Sequence, residues 1–147
     1  MLKLCLLAPA PETDLRALKT RSAGHSYLLA PDGVADACDP PKDGTAPVFG
    51  VSAARLAEVV KAVMAEETNT VCKSDREEGG KRVSSYVCRT KLIGYPDLLM
   101  FEVIPVDDAN ATLAIYSRSV YGFGDWGVNK ARVDRLVDLI GKRLTPA

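Results

Sequence analysis

Six polar residues fall within sixteen positions near the C-terminal end of the chain: Ser117, Arg118, Ser119, Asp125, Asn129 and Arg132. Arg89 and Asp97 stand upstream and complete a set of three arginines and two carboxylates. Three kinds of chemistry are open to such a set. A guanidinium can pair with a carboxylate through two parallel hydrogen bonds, and such a pair would fasten one element of the fold to another. The same guanidinium can hold a phosphate or another anionic group. Carboxylates can instead trade protons, and serines can attack as nucleophiles once a base activates them. No histidine or lysine is placed by the sequence to activate Ser117 or Ser119, so no catalytic residue is assigned.

These residues need a scaffold, and the sequence pattern supplies one. Ser52 is the expected N-cap of a helix, with Val51 and Leu56 placed as a hydrophobic staple. Leu56, Val59, Val60 and Val63 line one face of it, and polarity returns at 65–68. Strands are expected at 70–75, 82–92, 98–106 and 111–121. The first two flank Glu78-Gly79-Gly80-Lys81, where a Gly-Gly centre suits the positive backbone angles of a tight hairpin. Connections this short favour antiparallel neighbours. A second helix follows, burying Val133, Leu136, Val137, Ile140 and Leu144, and ends near Thr145-Pro146. The expected fold class is α+β, a four-stranded antiparallel meander with two amphipathic helices on one face and an irregular proline-rich N-terminal arm. The arm spans 1–46 and packs on a single domain at 47–147. Six of the nine prolines fall in residues 1–47, which discourages long regular elements there. Tyr27 to Ala30 has room for one short edge strand.

Composition narrows the functional classes. With 147 residues and almost half of them apolar, the chain can bury a real core. Nineteen basic residues balance nineteen acidic ones, which argues against a nucleic-acid binder driven by bulk charge. The single histidine, His25, excludes a multi-histidine metal site and is expected on an exposed loop. Cys5, Cys38, Cys72 and Cys88 form no C-x-x-C pair, so a zinc site is not expected. A two-residue Gly-Gly turn would set Cys72 opposite Val87, and one bulged residue could bring Cys72 opposite Cys88. Two small apolar side chains in a sheet remain the plainer expectation. The run from Met1 to Ala10 is too short to span a bilayer. It fits either the remnant of an export signal or an extended packed segment.

Gly122, Gly124 and Gly127 spell G-x-G-x-x-G between a strand and a helix. A dinucleotide fold needs a parallel strand and an acidic residue after that helix, and neither follows here. What remains is a helix N-terminus that could receive an anion, with Asp125 a candidate to fill it as N-cap.

Tyr95-Pro96-Asp97, then Tyr116-Ser117-Arg118-Ser119, then the stretch from Gly122 to Arg132 together resemble the bacterial and plastid family called domain of unknown function 1499. That family's signature looks like an aromatic-Pro-Asp step, an arginine between serines, and Gly-x-Ser-Asp-x-Gly-x-Asn before a basic pair. Gly124 replaces the usual serine here, and Lys130-Ala131-Arg132 loosens the basic pair. The resemblance covers roughly Pro47 to Leu144. It implies no established activity, and it implies export or membrane anchoring, which would place the chain in the periplasm or cell envelope.

The expected role is therefore a non-catalytic binding or interaction module. Its hypothetical site is Arg89, Asp97, Ser117, Arg118, Ser119, Asp125, Asn129 and Arg132, and its expected partner is a small anionic ligand or lipid headgroup. No cofactor, metal or transmembrane segment is expected. The alternative is a small hydrolase-like enzyme using Asp97 and Asp125. If Arg118 is structural, removing it should strand a buried carboxylate and destabilise the fold.

Overall fold

The computed structural model describes residues 13–22, 24–89, 95–120 and 126–145. The helix announced by Ser52 is α1 (Ala53–Ala65), and the Ser52 hydroxyl caps it by accepting from the Arg55 amide at 3.2 Å. Strands β3 (Thr70–Glu78) and β4 (Lys81–Arg89) are joined by Gly79 and Gly80 at φ +59° and +80°. Only such positive angles let a two-residue turn follow the right-handed strand twist. Strands β5 (Pro96–Pro105) and β6 (Ala111–Ser119) continue the meander, and α2 (Val128–Leu144) closes the chain.

The sheet has six strands, not four. The arm contributes β1 (Ser26–Ala30), which pairs antiparallel with β6, and β2 (Gly44–Thr45), which runs parallel to β1. The order is β2-β1-β6-β5-β4-β3, so β6 is an interior strand and β1 is not at the edge. Prolines 31, 40, 41 and 47 bound these elements rather than forbid them, because none falls inside a strand. Asp43 holds the return in place. Its carboxylate accepts from the Leu28 amide at 2.8 Å, and its own amide donates to the Leu28 carbonyl at 2.8 Å.

The hairpin carries a bulge, but on the side that separates the cysteines. Ser74 faces Ser85 whereas Cys72 faces Tyr86, so the extra residue, Lys73, sits in β3. Cys88 therefore lies opposite Thr70, and Cys38, Cys72 and Cys88 are all free thiols. Cys5 is outside the described residues.

Both helices pack on one face of the sheet. Leu56, Val59, Val60 and Val63 from α1 and Val133, Leu136 and Ile140 from α2 share one core with Leu99, Phe101, Leu113 and Ile115. The other face is covered by the arm, where Leu15, Val34 and Cys38 bury against Val83, Met100, Ala114 and Tyr116. On that side the fully buried Glu102 of β5 receives Arg16 of the arm at 2.8 Å and Lys81 of the hairpin at 3.1 Å. A buried carboxylate needs such partners, and here they clasp three segments together. Among the described residues no helix is long and apolar enough to cross a membrane.

Candidate functional site

Period-two alternation along β6 divides the sequence-derived cluster. Ser117 points to the helix side with Ile115, while Arg118 points to the arm side with Tyr116. Each half has its own chemistry.

On the helix side, Asp97, Ser117, Ser119, Asn129 and Arg132 form one network. The Arg132 Nη2 donates to Asp97 Oδ2 at 2.7 Å, and its Nη1 donates to Ser117 Oγ and Asn129 Oδ1, both at 3.0 Å. Ser117 Oγ donates to Asn129 Oδ1 at 2.6 Å. The Asn129 amide nitrogen donates to Ser119 Oγ at 3.0 Å and to the His25 carbonyl at 3.1 Å. Asn129 and Ser117 are fully buried and Asp97 is nearly so, and the amide of Asn129 uses both its acceptor sites and both its donors. The network fastens the first turns of α2 to β5, β6 and the start of β1. The N-cap position of α2 is Gly127 at φ +77°, which has no side chain to cap with, and the capping role expected of Asp125 falls on a residue that is not described. Asp125, Gly122 and Gly124 lie outside the described residues.

Beside this network is a recess of about 530 Å³, walled by Arg89, Arg132, Arg135, Cys88 and Glu67. Arg132 is committed to Asp97, and Arg135 makes a two-pronged pair with Glu67. Burial pushes the Cys88 thiol up against the opposing pull of Arg132, so it stays protonated at neutral pH.

On the arm side, Arg118 lies between Ser26 of β1 and Leu98 of β5 and borders a recess of about 280 Å³. Thr13, Thr20, Ser22, Tyr116 and His25 share its wall, and among the described residues no carboxylate lines it. No hydrogen bond or ion pair engages the Arg118 guanidinium among the described residues. The other arginine there, Arg21, has a buried side chain and is already engaged, by Asp43 at 2.9 Å, Ser26 Oγ at 3.1 Å and the Pro40 carbonyl at 3.2 Å. Burial raises the Tyr116 phenol, and the Arg118 charge opposes that shift only in part, so the hydroxyl stays a donor at neutral pH. A guanidinium beside hydroxyl donors has the chemistry to pair with an oxyanion.

A family model described as a protein of unknown function, DUF1499, matches residues 15–140. The chain belongs to the DUF1499 family. The match begins at Leu15, so β1, β2 and Arg118 all lie within it. Comparisons with curated proteins and with solved structures give no match. Among the described residues no cluster of histidine, cysteine, aspartate and glutamate could hold a metal ion.

Sequence reasoning missed Arg21, Tyr116 and the backbone of His25 as parts of this region. The strand-like run Tyr27 to Ala30 was the available signal, and with that strand set beside β6 Arg21 and His25 follow.

Proposed function

We propose that this DUF1499 domain is a non-catalytic binding module that takes a small oxyanion in the Arg118 recess. One observation carries the proposal. Arg118 is a partly buried cation that has no ion-pair partner among the described residues, none of which lines its recess with a carboxylate. A phosphate or similar group would supply the missing negative charge, and the hydroxyls of Thr20, Ser22 and Tyr116 offer donors around it. Of the two carboxylates of the hydrolase-like alternative, Asp97 is buried against Arg132 at 2.7 Å, an arrangement that favours the binding reading, and Asp125 lies outside the described residues.

The test is thermal denaturation in inorganic phosphate against chloride at matched ionic strength. Ligand that binds only the folded state stabilises it by about 2.7 kcal/mol at a hundred times its dissociation constant. Wild type and Arg135→Gln should both gain melting temperature with phosphate, and Arg118→Gln should gain none. A rise that survives Arg118→Gln, or no rise in wild type, removes the proposal.

A further inference from the structure

The anion recess opens at one end of the sheet, and that end is unusually apolar for a solvent-facing surface. Eight large hydrophobic residues are exposed among those described, and four of them, Tyr95, Val120, Trp126 and Val128, gather there. Trp126, the only tryptophan of the chain, has its full surface in solvent, and the other three keep between 41% and 48%. Their proximity follows from the hydrogen bonds. The Val120 amide donates to the Pro96 carbonyl at 3.4 Å, which places Val120 beside Tyr95. Asn129 holds Ser119, so Trp126 and Val128 stand within three residues of the contact that Val120 adjoins.

Charge flanks this rim on both sides. Val128 shares the helix-side recess with Arg132 and Arg135, which are paired with Asp97 and Glu67, and Ser119 shares the arm-side recess with Arg118, which has no ion-pair partner among the described residues. Trp126 also occupies φ +54°, a left-handed conformation that a bulky side chain rarely adopts. Its backbone thus carries strain while its ring buries nothing within the domain, a combination that intramolecular packing does not account for. An indole and a phenol at a rim, with arginines behind them, match the two layers of a bilayer surface: a belt where amphipathic aromatics settle, and headgroups that carry negative charge.

We infer that this end of the domain seats on a lipid surface bearing anionic headgroups, with Trp126, Tyr95, Val120 and Val128 in the interfacial layer and a headgroup phosphate in the Arg118 recess. The inference rests on the anion reading of that recess and adds the source of the anion.

The experiment uses the full chain with vesicles of phosphatidylcholine alone and of phosphatidylcholine mixed with phosphatidylglycerol. Co-sedimentation should occur with the mixed vesicles only and should weaken at high salt. The single tryptophan makes the contact directly visible, since its emission should shift to the blue on binding and be quenched by lipids brominated near the headgroup end of their chains. Trp126→Ser should lose most vesicle binding yet keep the phosphate-induced rise in melting temperature, because it touches neither recess. Arg118→Gln should lose both. Binding that is equal on the two vesicle types, undiminished in Trp126→Ser, or unaccompanied by a shift in tryptophan emission overturns the lipid seat. The phosphate experiment then still decides the anion site by itself.

Discussion

Arg132→Ala is the perturbation that separates a structural from a functional use of the helix-side network. Asp97 and Arg132 expose 3% and 12% of their side chains, so neither charge is solvated in place of the other. Removing the guanidinium deletes the 2.7 Å pair and the two 3.0 Å bonds to Ser117 and Asn129, and leaves the Asp97 carboxylate buried. Stranding one member of a buried pair costs about 3–5 kcal/mol. For a domain of this size each kcal/mol moves the melting temperature by roughly 3 °C, so a fall on the order of 10 °C is expected. Urea denaturation of wild type, Arg132→Ala, Asp97→Ala and the double variant closes a cycle, and the coupling energy should be about 2 kcal/mol. Arg118→Ala serves as the contrast. Having no partner to strand among the described residues, it should stay within about 0.5 kcal/mol of wild type. A loss below about 1 kcal/mol for Arg132→Ala, with coupling near zero, would refute the claim that this network pins α2 to the sheet.

Three further outcomes follow from the same contacts. Replacing Arg16 and Lys81 together by alanine strands Glu102, and should cost on the order of 3 kcal/mol in denaturant titration while exposing the residues around Leu15 to limited proteolysis. Asp75 is held below the usual carboxylate range by its hydrogen bond from Arg82 at 2.7 Å, and its contribution is therefore present above the unfolded value and lost as pH falls through the lower folded value. Because the pair is partly exposed, Asp75→Asn should cost only about 0.5 kcal/mol near neutrality and nothing in strong acid, as read by melting curves across pH. Alkylation of the native protein, mapped by mass spectrometry, should label the exposed Cys72 and spare Cys38 and Cys88, whose burial raises their thiols; equal labelling of Cys88 would contradict its place in the core.

The parts of the fold legible in the sequence were those whose signal is local. Ser52 ahead of an apolar 3.6-residue stripe, and Gly79-Gly80 between two strand-like runs, each specify an element from its own residues. β1 was legible as a short strand at Tyr27 to Ala30 but not as an inner one, because its pairing is decided by β6, far along the chain, and β2 was obscured because a two-residue strand among prolines looks like a loop. The candidate site was only half legible, and the missing half was within reach. Ser117-Arg118-Ser119 lies on a strand, and successive strand residues face opposite ways, so Arg118 could not join the network that Ser117 makes with Asn129 and Arg132. Glu102 carried a similar signal, as a lone charge inside the apolar run from Leu98 to Ile104 that must find cations when buried. Which cations it finds depends on where the arm crosses the sheet, and no local pattern encodes that.

The pairing of β1 with β6 has a consequence for how the protein is made. Ser26 to Leu29 find their partners at Ile115 to Arg118, so β1 leaves the ribosome long before the strand that completes its hydrogen bonds. Meanwhile α1 and the meander β3 to β6 have short connections and can assemble among themselves, which leaves one backbone edge of β6 open. That edge belongs to a strand whose first seven residues are buried in the finished domain, and it is a ready template for another chain's strand. Folding of this domain therefore contains an interval in which β6 waits for β1, and the speed with which Ser26–Ala30 returns decides between folding and entanglement with a neighbour.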